Sequence, residues 1–485
     1  MQTIKTKPYF MTARNTLLAA FAMAGVWIAF KHFYPYADFF TDSYSYIHAA
    51  AQKDIVDYRP IGYPVFLRLV HAVSPSDTFL VTLQYAGVQL SSLALYARLR
   101  RWCRLTAGAQ RLILIFLVLN PVIPYTCNYV SSDALFIALS LLWFNVLIGV
   151  ILRPSWKLLG WQLLLLALIF NIRYVALYYP AVAAISFVLT RKDLRFKMAG
   201  IGASLAVVAI GIVWIKAVTR QQTGAPVFSA FSGWQIANNA LHIYPYIPVD
   251  TVGLPSAESQ ELADSVRSYF ARVGPAAKNP PSVTTAYMWR RDLPLHRYMA
   301  AYERRHSLSY FESWNRVGVV FTEYGYYLIR THPLAYTRYY IWESAKSYFY
   351  PALESYTVYN EGRLEVDPVA RDWFNYADTR VRVSSAAFQG ELLAFLPLVY
   401  IVLNLVFIAT ACLFMSVREL RQRYPEFTLC FGLVSAYLLA NAAFGICASP
   451  AVLRYQVLPV LLLFIFFVCA ASLINRGGCD RLSAR

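Results

Sequence analysis

Two short runs carry the side chains best suited to chemistry. Asp42 lies in Phe40-Thr41-Asp42-Ser43-Tyr44-Ser45-Tyr46, and Arg59 in Tyr58-Arg59-Pro60-Ile61-Gly62-Tyr63-Pro64-Val65-Phe66-Leu67, both in the first polar gap between hydrophobic stretches. A carboxylate at the start of a short helix can take a proton from a hydroxyl and so raise its nucleophilicity, the work of a general base. The same position also suits a helix cap, because Asp and Thr both favour helix N-termini. Arg59 stands among aromatic residues and two prolines that restrict the backbone, with Gly62 permitting a close approach. Its planar fork of donors can hold phosphate oxygens in pairs and neutralise charge growing on a departing phosphate. An interfacial arginine that only reaches toward anionic headgroups is the plainer reading.

What must position these residues is a membrane bundle. The 485 residues are 58% hydrophobic, 16% aromatic and 14% charged, with mean hydropathy +0.44, which excludes an ordinary soluble domain. Apolar stretches near 14–34, 78–97, 112–130, 134–152, 158–172, 174–190, 198–218, 393–417, 427–447 and 454–475 are each expected to cross as a helix. Without period-two alternation, a helical bundle is expected over a transmembrane barrel. The expected fold is therefore an all-α membrane protein of about ten transmembrane helices, with a mostly helical outer domain.

Basic residues set the orientation. Arg98, Arg100, Arg101 and Arg104, then Arg153 and Lys157, Arg191, Lys192, Arg195 and Lys197, Arg418, Arg421 and Arg423, and Arg476 and Arg481 all fall on one side of such a bundle, with Lys5, Lys7 and Arg14. That side is expected to be cytoplasmic. The net charge of +18 is thereby placed in cytoplasmic turns, and nucleic-acid binding is a poor reading of it. Seven cysteines lie mostly in or beside hydrophobic stretches without paired spacing, so neither a disulfide framework nor a cysteine metal site is expected.

Three segments follow: 1–218, a membrane module whose outer loop at 35–77 carries Asp42 and Arg59; 219–392, an outer domain; and 393–485, the last membrane helices. The 35–77 loop reads as one or two surface helices, with Tyr44, Ile47, Ala51 and Ile55 at roughly helical spacing. In the outer domain, helices are expected over 294–332 and 333–350, after a Pro- and Ser-containing stretch at 274–285. Arg173 and Arg454 stand near outward membrane boundaries, where an ionisable group is costly without a partner. Asp133 is a possible second acid, though Ser131-Ser132-Asp133 also reads as a plain N-cap. Tyr46, Tyr58 and Tyr63 are expected to line a substrate pocket, whereas His48, His306 and His332 have no metal-ligand spacing.

The order Asp42-Ser43-x-x-Tyr46, a spacer, then Arg59-Pro60-x-Gly62-Tyr63-Pro64-x-Phe66-Leu67 resembles the first outer loop of the GT-C superfamily. These are integral membrane glycosyltransferases that use polyprenyl-phosphate sugars, among them protein mannosyltransferases and the aminoarabinose transferases of lipid A. Weaker likenesses are Ser131-Ser132-Asp133-Ala134-Leu135-Phe136, Asn171-Ile172-Arg173-Tyr174, Thr331-His332-Pro333-Leu334 and Arg454-Tyr455-Gln456-Val457-Leu458-Pro459. The resemblance implies Asp42 as the carboxylate for acceptor activation or metal contact, and Arg59, Arg454 and Arg173 as groups meeting the lipid phosphate. Many relatives carry two adjacent acids where this chain has Asp42-Ser43, and Glu where it has Asp133, so the resemblance leaves a divalent metal open.

Its implied reaction is an inverting single displacement at the periplasmic face of a bacterial inner membrane. A polyprenyl-phosphate sugar would be the donor and a lipid, glycan or protein hydroxyl the acceptor. Because the departing phosphate monoester is a stable leaving group, the site needs charge stabilisation more than a general acid. A transporter or flippase is the alternative, and would call for broken helices and ionisable groups near the bilayer midplane. A non-catalytic assembly protein is the third, and would need no phosphate-competent chamber.

Overall fold

The computed structural model describes residues 9–103, 105–248, 253–274 and 285–482. Lys5, Lys7, Arg104 and the stretch 275–284 lie outside them. Among the described residues the chain is all-α, about 80% helical and without strands. Eight helices among the described residues are long and apolar enough to cross a membrane, the build of an integral membrane protein. Two shorter apolar helices, Trp156–Ile172 and Tyr174–Leu189, stand at the remaining expected positions.

The helices relevant here are α1 (Tyr9–Phe33), α2 (Thr41–Gln52), α3 (Gly62–Val73), α4 (Asp77–Cys103), α5 (Ala107–Leu119), α6 (Val122–Asn128), α7 (Ser132–Leu152) and α8 (Trp156–Ile172). The stretch expected as one helix over 112–130 is two, α5 and α6, because Pro121 cannot donate to the ladder and Asn120 closes α5 in an extended conformation. The last helix, Leu453–Leu482, runs through the middle of the bundle; 78% of its most apolar window is buried, against 17% for α1. Pro459 inside it removes one ladder bond close to the outer end.

The outer loop at 35–77 folds into α2 and α3. The buried face of α2 is Ser43, Tyr46, Ile47, Ala49 and Ala50, so the stripe expected at Tyr44, Ile47, Ala51 and Ile55 is out of register. Ala51 is exposed, and Ile55 lies beyond the helix end with more than half its surface exposed. Lys53, in the left-handed region at φ 59°, ends α2 before the pattern can continue.

Of the segment expected as an outer domain, residues 230–328 have a core of their own, whereas Tyr356, Tyr359, Val366 and Phe374 pack into the core of the bundle. The aromatic and amide-rich run at 228–239 becomes the helix Ser232–Leu241, which packs on Tyr310–Thr331. Trp234 and Trp314 stack there at 3.9 Å, and each indole N–H donates to a backbone carbonyl, Trp234 to Trp314 and Trp314 to Ala230. Tyr58 is drawn to this core, its ring edge-on to Phe311 at 4.8 Å and to Trp314 at 5.6 Å. The loop bearing Arg59 is thus pinned between bundle and outer domain.

Two isolated parallel bridges, Asp38 with Tyr129 and Ala352 with Val452, tie distant segments together at the outer end of the bundle. Asp42 and Asp133 each follow the first bridge by four residues; Glu354 and Arg454 each follow the second by two. The first bridge is reinforced by the Asp38 carboxylate, which accepts the Asn360 N–H at 2.8 Å. Burial pushes that carboxyl up to about 7, while backbone N–H groups and neighbouring side chains oppose the shift.

Gly62 opens α3 against the end of α8, where an added Cβ would lie 2.4 Å from the Asn171 carbonyl oxygen. Backbone cannot yield there as a flexible side chain would. Gly62→Ala is therefore expected to destabilise the protein by about 1–3 kcal/mol, read as a lower midpoint of thermal unfolding in detergent; an unchanged midpoint would contradict this packing.

Candidate active site: a charged cavity at the outer rim

Below the outer domain lies a cavity of about 1320 Å³, lined among others by Asp42, Arg59, Asp133, Arg173, Glu354 and Arg454. Helix α2 presents Asp42 in its first turn. The capping alternative does not describe it: the N-cap is Phe40, and Ser43 Oγ accepts the Phe40 N–H. The Asp42 carboxylate instead faces two arginines. Arg59 Nη2 donates to Oδ1 at 2.5 Å, and Arg454 Nη1 approaches Oδ2 at 3.5 Å. Arg59 Nη1 also donates to Ser45 Oγ at 2.8 Å, one turn along α2.

A second pair sits beside the first. Arg173, at the joint after α8, pairs with Asp133 Oδ1, while Ser131 Oγ donates to Asp133 Oδ2 at 3.1 Å. Ser131 is indeed the N-cap of α7, so the expected cap and the ion pair coexist on neighbouring residues. Tyr455 links the two pairs: its ring lies under the Arg173 guanidinium at 4.6 Å and the Arg454 guanidinium at 4.8 Å, and its hydroxyl accepts from Arg454 Nη2 at 2.9 Å. The negative quadrupole of that ring eases the presence of two like charges beside it. Phe40 at 4.9 Å covers Arg454 similarly.

Burial alone would favour the neutral form of Asp42, but Arg59, Arg454 and Arg173 outweigh it and hold the carboxyl below its ordinary value. Charge is thus retained in a walled site, where it interacts more strongly than in water. The pairing is not saturated: Arg454 Nε is buried and has no hydrogen-bond partner among the described residues.

Tyr46 lines the cavity as expected, its hydroxyl 3.0 Å from Ser132 Oγ and its ring beneath Arg59 at 5.7 Å. The other two tyrosines do not. Tyr63 is fully buried behind α2, donating to Gln84 Oε1 at 2.8 Å, and Tyr58 faces the outer-domain core. Both are packing residues: Tyr63, in the first turn of α3, is held by Gln84, and Tyr58, before that helix, is held by Phe311 and Trp314. Neither His48, His306 nor His332 lines it. Sequence reasoning missed Tyr455 and Glu354; the first lies beside an arginine already singled out, the second in a stretch with no local pattern.

A divalent metal fits poorly. Among the described residues no three His, Cys, Asp or Glu side chains converge as a ligand set, and Asp42 and Asp133 are each turned to an arginine. No family model matches the chain, and neither curated proteins nor solved structures give a significant match.

Because the Asp42 carboxyl is held below its ordinary 3.8, its pairing stabilises the fold fully above about pH 4 and is lost as pH falls through the lowered value. Removing the charge leaves two guanidiniums short of a partner. Asp42→Asn is expected to unfold at lower temperature than wild type at pH 7, with the difference shrinking below about pH 4. A difference independent of pH would show that the ion pair contributes nothing.

Proposed function

We propose that this chain is a glycosyltransferase that takes a sugar from a polyprenyl phosphate and places it on an acceptor hydroxyl, by inverting single displacement. The observation that carries this reading is the cavity in which Arg59, Arg173 and Arg454 converge with Asp42 and Asp133. A phosphodiester needs opposed cationic donors, and the charge gained by its departing oxygen is best met by guanidiniums already fixed in place. Asp42 and Asp133 keep those arginines buried and oriented. Away from the charges the wall becomes apolar and aromatic, with Ile341, Tyr437 and Phe444, a surface suited to isoprenoid chain.

In this reading all ten apolar helices cross the membrane, and the cavity opens to the periplasm of a bacterial inner membrane. Helices of the length of α8 rise about 26 Å, slightly less than the ~30 Å hydrocarbon layer. The joint carrying Arg173 is accordingly sunk below the rim, where it can meet a lipid phosphate. The mechanism binds the donor phosphate between Arg59, Arg454 and Arg173, aligns the anomeric carbon with the acceptor, and stabilises the leaving phosphate.

Purified protein incubated with undecaprenyl-phosphate-linked sugars tests this. A donor at 100 times its dissociation constant is expected to stabilise the fold by about 2.7 kcal/mol. Arg454→Ala is expected to lower transfer by about 10²-fold or more while leaving the fold intact. Absence of stabilisation across hexose, N-acetylhexosamine and pentose donors would reject the proposal.

A further inference from the structure

We propose that Glu354 is the catalytic proton acceptor of this site, taking the acceptor hydroxyl's proton as the glycosidic bond forms. The assignment rests on the glycosyltransferase reading above. Four carboxylates line the cavity with three guanidiniums, and three of them are engaged: Asp42 by Arg59 and Arg454, Asp133 by Arg173 and Ser131, Glu361 by Arg363. Glu354 lines the same cavity, and its carboxylate has no hydrogen-bond or ion-pair partner among the described residues. Arginines paired to a carboxylate lower its basicity, whereas an unpaired carboxylate keeps its own.

Its placement is built by the backbone. The parallel bridge between Ala352 and Val452, with the Leu453 N–H donating to the Ala352 carbonyl at 2.9 Å, sets Glu354 beside Arg454. Glu354 itself lies in the left-handed region at φ 46°, a conformation that a non-glycine residue keeps only when its surroundings enforce it. Here they do. The Tyr129 hydroxyl and Gln389 Nε2 both donate to the Ser355 carbonyl, at 2.5 and 3.3 Å, and the Tyr356 and Thr126 hydroxyls bond at 2.7 Å. Residues of α6, of the connection before α7 and of the helix Phe388–Leu393 thus hold this turn.

The charged groups around it are Arg454 beside it, Asp42, the pair of Glu361 and Arg363 on the next turn, 3.5 Å from each other, and Glu391 on the packed helix Phe388–Leu393. Glu354 is exposed at the open side of the cavity; the surrounding protein, the largest influence, raises its carboxyl only as far as that exposure allows, Asp42 adds to the shift and Arg454 opposes it. A base shifted toward neutral pH is better matched to a hydroxyl proton than Asp42.

The step balances. The acceptor oxygen bonds to the anomeric carbon, the bond from that carbon to the phosphate oxygen breaks, and its electron pair stays on the polyprenyl phosphate. The hydroxyl proton passes to Glu354. The phosphate gains one negative charge as Glu354 loses one, so the charge of the walled cavity is conserved through the transition state.

The experiment compares wild type, Glu354→Gln and Glu354→Asp in detergent. Undecaprenyl-phosphate-linked hexose, N-acetylhexosamine and pentose serve as donors, with water as acceptor. Donor-induced thermal stabilisation and release of undecaprenyl phosphate are read from pH 5 to 9. Wild-type release is expected to rise with pH through a carboxyl titrating above the ordinary 4.5. Glu354→Gln should be stabilised by donor as wild type is, release product at least about 10²-fold more slowly, and lose the rising limb, which Glu354→Asp restores in part. Donor stabilisation with undiminished release and an unchanged pH profile in Glu354→Gln would overturn the role of Glu354 and leave the donor reading standing. No stabilisation and no release by wild type with any donor would overturn both.

Discussion

Charge buried without a partner is the constraint around which the outer end of this bundle is organised. Removing a guanidinium from water costs several kcal/mol unless an opposite charge and further hydrogen bonds replace the solvent. Arg59, Arg173 and Arg454 come from three distant parts of the chain, and Asp42, Asp133 and the ring of Tyr455 compensate them. Each arginine can stay where it is only if α2, α7 and the last helix meet, so the cluster and the fold around it specify one another. Such an arrangement is a costly way to gain stability, since well-packed apolar residues of like volume often do as well. Its persistence at a cavity wall points to a use for the charges.

The surrounding structure supplies rigidity. Helices α2 and α3 are short and lie outside the spans, yet Tyr58 fastens their connection to the outer-domain core and Gly62 seats α3 directly on backbone. The two parallel bridges do the same for the opposite wall, fixing where Asp133, Glu354 and Arg454 emerge. A phosphate held by such donors meets groups that need not reorganise as charge develops, which is where electrostatic stabilisation of a transition state is most effective.

Much of this was legible from residues alone. The apolar stretches carry their own length, and the runs around Asp42 and Arg59 combine charge, proline and glycine in a way that few loops need. Arg454 stood out because an ionisable group at the head of an apolar span requires a partner. The sequence could not say which partner it would find, since Asp42 is 412 residues away. Pro121 was visible, but whether it merely bends a helix or divides it depends on neighbours. Tyr58 and Tyr63 resemble pocket residues because an aromatic ring suits a core, an interface and a binding wall equally. Glu354 had no signal at all: its position comes from the bridge between Ala352 and Val452 and a left-handed turn, neither of which local composition encodes.

A structure determined with an undecaprenyl-phosphate-linked sugar bound would test the central claim most directly. Phosphate oxygens are expected about 2.7–2.9 Å from guanidinium nitrogens of Arg59 and Arg454, with the isoprenoid chain along the wall of Tyr437 and Phe444 and the anomeric carbon turned toward Glu354. A donor seated elsewhere on the protein, with the arginines still held only by Asp42 and Asp133, would contradict it.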